Sequence, residues 1–279
     1  MSKLSGDDHW YRRMFSGTTV KLFAVTALLA TVLSFRPATG QDPEDEGRLS
    51  AEEFPLSFEA ETTLNAKYVW RGINVVDGAV LQPSVTASYE GLSLNVWGNM
   101  DLDNVGGHSG EFTEIDYTLD YTFDGELADI SVGTIYYMFP HSSAAHGTQE
   151  LYLSAGLDAP LSPSVGIYHD IDLADGTYLS LSAGHTFEDL YSPADGMDVG
   201  FSLDGSVSYA SSNYSDFYYG RDASGFTDAL LSLSLPITFE GDFAITPAVH
   251  YSSLLSDGVR DGMSDDDNFW GGITLSYSF

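Results

Sequence analysis

The chain has 279 residues, no cysteine, and 41 Asp+Glu against 10 Lys+Arg, a formal charge of −31. That balance excludes clustered Lys and Arg for phosphate binding, hence no nucleic acid as partner, and excludes a polybasic membrane-surface protein. Zero cysteine removes disulfides, thiolate metal centres and cysteine nucleophiles, and an aromatic content of 13% argues against disorder.

Arg12, Arg13 and Lys21 precede the apolar run Leu22–Phe35. That run is too short for a bilayer-spanning helix, which needs about 20 residues. Ala38-Thr39-Gly40 follows, with small residues at −3 and −1 before Gln41. The pattern predicts a secretory signal peptide over residues 1–40, with an N-terminal anchor helix as the alternative. Gln41–Glu53 is acidic and contains Pro43, which predicts a flexible leader, so the folded unit is expected over 54–279.

From Phe54 onward the dominant period is two, the period of strands. Ser57–Arg71 sets Phe58, Ala60, Leu64, Tyr68 and Trp70 on one face, against Glu59, Glu61, Asn65, Lys67 and Arg71 on the other. Further strands are expected at 79–90, 92–101, 113–123, 127–138, 149–157 and 165–172, then at 177–187, 197–209, 227–238, 243–252 and 268–279. Alternation alone fits both a soluble sandwich and a transmembrane barrel.

Three features favour the barrel. Phe279 closes an alternating strand in phase with Ile273, Leu275 and Tyr277, which resembles the C-terminal motif that barrel-assembly machinery reads in outer-membrane proteins. The apolar faces carry no charge, and aromatics gather at segment ends as girdles would: Tyr68 and Trp70, Tyr89, Tyr121 and Phe123, Tyr136, Tyr277 and Phe279. Connections also alternate between long outer loops (Gly72–Gly78, Asp101–Glu111, Phe139–Thr148, Ala210–Phe226, Ser256–Asp267) and shorter inner turns such as Glu90-Gly91 and Asp124-Gly125. One pair breaks the rule: Leu173–Gly176 is short and Glu188–Gly196 long, which marks 165–210 as the stretch of doubtful register. The expected fold is all-β, an antiparallel up-and-down transmembrane β-barrel of about 12 strands in the outer membrane of a Gram-negative-type bacterium.

The polar face supplies the candidate site. Lys67, Arg71, Gln82, Asn99, Asp101, Glu114, Asp116 and Asp120 all fall on it, most of them near the expected outer mouth. An Arg among carboxylates makes bidentate, charge-assisted hydrogen bonds, so Arg71 is read either as a brace between strands or as a constriction that filters or binds solute. Rings of Asp and Glu favour cations in a pore.

The run Lys67-Tyr68-Val69-Trp70-Arg71-Gly72, with Asp77-Gly78, Gln82, Tyr89-Glu90-Gly91 and Val96-Trp97-Gly98-Asn99, resembles the first hairpins of the Gcw-type family of uncharacterised bacterial outer-membrane proteins, Y-x-x-R-G-I…Q…G…W-G. The resemblance spans about residues 60–102 and implies a signal-bearing β-barrel of unsettled function.

The functional expectation is a porin-like channel for small cationic or neutral solutes. The alternatives are a non-conducting structural or adhesive barrel and a soluble exported β-sandwich that binds ligand. No enzymatic motif is present: there is no G-x-S-x-G, no Walker A and no H-x-S-N-G stretch, although His169 and His185 fall on the expected lipid face. No cofactor and no metal site are expected. The loops Ser256–Asp267 and Asp101–Glu111 hold oxygen ligands without EF-hand spacing, and His141 and His146 are poorly spaced for a metal. The expected partners are outer-membrane lipid, small solutes, and the assembly machinery through Phe279.

Overall fold

A computed structural model describes residues 56–279 apart from 143–145 and 241; the expected signal peptide and leader lie outside the described residues. Twelve staves close into one antiparallel barrel. In chain order they are β1 (Ser57–Asn65), β4 (Val80–Tyr89), β5 (Leu92–Asp101), β6 (Phe112–Phe123), β7 (Ala128–Met138), β8 (Gly147–Leu157), β9 (Ser164–Asp170), β10 (Gly176–Ala194), β11 (Met197–Ala210), the interrupted stave β12 (Gly225–Ser234) with β13 (Ile237–Phe239), β14 (Phe243–Leu254) and β15 (Asp267–Ser278). Each stave pairs with its chain neighbour, and β1 with β15 closes the ring. At that seam Phe58 and Phe279 exchange backbone hydrogen bonds of 2.8 and 2.9 Å. A closed ring leaves no unpaired sheet edge, which is the condition for strands to cross lipid.

The outward face is apolar in every stave: Leu64, Leu94, Leu119, Val132, Leu153, Leu181, Leu203, Leu231, Val249 and Ile273 are all exposed. Among the described residues that face carries no Asp, Glu, Lys or Arg between the rims, where a Lys or Arg at the bilayer midplane would cost about 2–4 kcal/mol. Aromatic residues ring both ends of the band. Tyr136, Tyr209, Phe226, Tyr251 and Phe269 stand at the outer end, and Phe123, Phe187, Tyr277 and Phe279 at the inner. Two prolines sit where the ladder is interrupted: Pro236 lies in the gap between β12 and β13, and the Pro247 carbonyl opposite accepts Leu235 N–H at 3.0 Å.

Five expectations need correction. The first strand stops at Asn65 instead of reaching Arg71, and Gly72–Gly78 is not an outer loop. Tyr68–Trp70 (β2) and Ile73–Val76 (β3) form a separate hairpin that turns inward across the lumen. Tyr68 and Trp70 therefore belong to the interior and not to a lipid girdle; Tyr68 is buried against Trp97. The long inner connection at Glu188–Gly196 does not exist either. β10 runs on to Ala194 through two bulges and turns tightly into β11, so this inner turn is short and the hairpin 187–197 overhangs the inner rim, while the outer connection 171–175 stays short as expected. Finally, the strand expected at 227–238 is broken at Leu235-Pro236.

Candidate functional site: a closed outer lumen above an open inner vestibule

One inward face carries two kinds of side chain, and their sizes divide the lumen. Toward the inner rim it is built from Ser, Thr and Gly, whose hydroxyls pair across strands: Ser164 with Ser182 at 2.6 Å, Thr122 with Ser131 at 2.8 Å, Thr186 with Ser202 at 3.0 Å. These short side chains leave space. A cavity of about 660 Å³ is lined by Ser164, Ser180, Ser182, Asp204, Ser206 and Ser232, and a second of about 480 Å³ shares Ser164, Ser180 and Ser182 and adds Asp129.

Toward the outer rim the same face carries Trp97, Tyr137, Tyr152, Tyr168, Tyr178 and Trp270, and two inserted segments fill what remains. The first is the β2–β3 hairpin. Its turn, Arg71-Gly72, takes φ of 48° and 81°, the mirror-image conformation that suits two-residue hairpins. The second is the helix Ser212–Tyr219 (α1), ended by Gly220 in the left-handed conformation. Tyr214 and Tyr218, one turn apart, share its buried face, and Tyr219 is buried beside them. Gly176 lets the helix lie close, since a Cβ there would collide with the Tyr214 backbone. The gap left between β2, Tyr137 and Tyr218 is about 10 Å³, no more than one water needs.

Arg71 holds the two segments to the wall. Its Nη1 and Nη2 donate to Glu150 Oε1 and Oε2 at 2.7 and 2.8 Å, a bidentate fork on a fully buried carboxylate. The same carboxylate accepts Tyr137 O–H at 2.8 Å, and the guanidinium also donates to the Tyr214 hydroxyl. Four rings surround it, with Cζ 4.2 Å from the centre of Tyr178, 4.6 Å from Trp70, 4.8 Å from Tyr168 and 5.6 Å from Tyr214. Tyr219 donates to the Arg71 carbonyl at 2.8 Å, which ties the helix to the turn itself. Two further carboxylates fix the surroundings: Asp170 accepts from Tyr218 at 2.9 Å and Asp228 from Tyr178 at 3.0 Å.

All but Lys67 of the eight residues singled out from the sequence face inward, but they do not form one cluster. Gln82 and Asn99 belong to a chain that runs Asn65 to Gln82 (2.9 Å), Gln82 to Asn99 (3.0 Å), and Asn99 to Asp101 and Thr113 (3.1 and 2.9 Å). Glu114 lies against Tyr68, and Asp116 pairs in register with Trp97 and Tyr137. Asp120 sits lower and accepts from Tyr152 at 2.9 Å. Lys67 stays at the mouth, 2.9 Å from Asp77, whose carboxyl it holds below the usual range by hydrogen bonding. The ion-pair partner of Arg71 is Glu150, not one of the carboxylates expected from the neighbouring strands. Sequence reasoning missed Tyr137, Tyr178, Tyr214 and Tyr218 as well. On the outward face, His169 hydrogen-bonds Thr177 (3.0 Å) and His185 meets Phe187 edge-on.

No family model matches the chain, and no curated protein does. Solved structures similar to it include the NanC porin (12% identity, TM-score 0.43, 78% of this chain and 97% of that one) and the KdgM porin (10%, 0.44, 80% and 99%). Another is an outer membrane channel from Pseudomonas putida F1 (10%, 0.43, 86% and 100%). At such identities the likeness speaks to fold alone, and the Gcw-type resemblance has no matching family model behind it. The closed register, the apolar band and the two aromatic girdles define the protein on their own terms. It is a twelve-stranded outer-membrane β-barrel.

Proposed function

We propose that the barrel admits small neutral or cationic solutes to a hydroxyl-lined inner vestibule and passes them when the β2–β3 hairpin and α1 move aside. The observation that carries this reading is the division of one lumen into an open inner half and a closed outer half made of two insertable segments rather than of wall residues. Glu59, Glu61, Asp129 and Asp204 face the inner half, and carboxylates in a narrow aqueous path favour cations. Gln82, Asn99, Asp101, Glu114, Asp116 and Asp120 would line the path once the segments withdraw, with Lys67 at its mouth and Arg71 carried aside on the hairpin. The chain is proposed to be exported through residues 1–40 and recognised by the assembly machinery at Phe279.

Planar-bilayer recording tests this. The wild type is expected to show low conductance. A variant with residues 68–76 replaced by a short Gly-Ser linker is expected to conduct steadily, with a reversal potential that reports cation preference. Anion preference in that variant would overturn the selectivity. The second reading, a non-conducting barrel, is favoured by the fully satisfied Arg71–Glu150 fork, and it takes over if the linker variant folds and still does not conduct.

A further inference from the structure

We infer that the outer loops form a binding site for a divalent transition metal of the zinc type, with His108, Glu111 and His141 as its ligands. His108 and Glu111 lie on the connection between β5 and β6, His141 on that between β7 and β8; the two loops meet over the outer end of β6. Glu111 Oε2 stands 3.1 Å from His108 Nδ1 and 3.4 Å from His141 Nε2, and the three donor atoms lie within 4.8 Å of one another. Bond lengths of about 2.0–2.2 Å in a tetrahedral zinc site put ligand atoms roughly 3.3–3.5 Å apart; the His141–Glu111 distance of 3.4 Å matches, and the His108–Glu111 hydrogen bond of 3.1 Å is slightly shorter. The two imidazole rings, which stack on each other, would tilt apart so that both lone pairs point at one ion.

A second observation points to a ligand. The His141 side chain is 1% exposed, and its ring nitrogens make only loose approaches, to the Glu111 carboxylate at 3.4 Å and to the Phe112 backbone, with no hydrogen bond of good geometry. Buried polar atoms are normally paired, and an orphan of this kind is what an unfilled coordination position leaves. The rings of His108 and His141 stack at 4.1 Å with 19° between planes, so two imidazoles approach one carboxylate from the same side. His108 and Glu111 remain about one-fifth exposed, which gives an ion a path from outside and leaves a fourth position for water. Two imidazoles and one carboxylate suit zinc, whereas calcium and magnesium take oxygen ligands almost exclusively. The fold assembles this set from loops separated by a whole hairpin, a pairing that the sequence spacing of His141 and His146 does not show. The metal would stitch the two loops together over β6, whether or not the lumen conducts.

Titration calorimetry of tag-free protein refolded in detergent, with Zn²⁺ as the probe, tests the assignment. One ion per barrel is expected, and Co²⁺ in its place should give the intense visible absorption of a tetrahedral site. E111A and H141A should each weaken binding roughly tenfold or more, while H146A should leave it unchanged. Each variant is first checked for the mobility difference between boiled and unboiled samples. If H141A fails that check, E111A and H108A carry the comparison. No saturable binding, binding untouched by E111A and H141A, or an equal loss in H146A would each overturn the site.

Discussion

The guanidinium of Arg71 reaches Glu150 across the lumen because the turn that carries it accepts positive φ at two successive residues. Gly72 is the half of that turn that no side chain can replace. A Cβ there would stand 2.7 Å from Leu254 and 2.8 Å from Asp228, at a φ of 81°. Gly72→Ala is expected to loosen the hairpin by about 1–3 kcal/mol, read as a lower urea midpoint for the change in Trp70 emission. Trp70 reports well because the guanidinium lies on its ring. Arg71→Ala should cost more, about 3–5 kcal/mol, since it leaves the Glu150 carboxylate buried without its partner. Arg71→Lys should recover only part of this, because an ammonium cannot form the fork or spread over four rings. An Arg71→Ala variant with an unchanged urea midpoint would mean that something else anchors the hairpin.

The barrel staves were legible from the sequence because each carries a strict two-residue alternation, and this survives whatever the tertiary surroundings. The two inserted segments were not, for different reasons. Tyr68-Val69-Trp70 continues the alternation of β1 through Ala66-Lys67 without a Gly or Pro to mark a break, so the hairpin reads as more strand. Helix α1 has the sequence Ser-Asn-Tyr-Ser-Asp-Phe-Tyr-Tyr, rich in residues that favour strands, and its N-cap Ser211 makes no side-chain capping bond. Packing against Tyr178 and Trp70 holds it, not propensity. The overhang of β10 was hidden by Pro193 and by four acidic residues between Glu188 and Asp198, which read as loop. The candidate site was legible as a face and illegible as a set of contacts: period two tells which residues point inward, but nothing local tells which far strand they meet. A helix this short also makes a direct prediction. Tyr214→Ala and Tyr218→Ala together should expose α1 to protease while the barrel persists on unboiled gels, and equal protection in that variant would count against the helix as a removable part.

Across the whole barrel, tyrosine and phenylalanine serve both faces, but the described tryptophans keep to one. Tyr and Phe ring the lipid band, whereas Trp70, Trp97 and Trp270 all point into the lumen, a distribution unlike that of membrane proteins that anchor Trp at the interface. Lipids brominated along their chains should therefore quench tryptophan emission weakly in refolded protein, compared with a variant carrying Tyr209→Trp at the outer girdle. Strong quenching of the wild type would place its tryptophans in lipid and contradict the inward register. The closed outer half has another consequence, one of timing. Arg71 enters the chain 79 residues before Glu150 and 143 before Tyr214, so the ends of these contacts must wait for most of the wall to exist. A barrel short of β8 through β11 has no place to dock the hairpin and would remain leaky and open to proteolysis. The seal is thus a late event, closed only when the helix that carries Tyr214 has joined the wall.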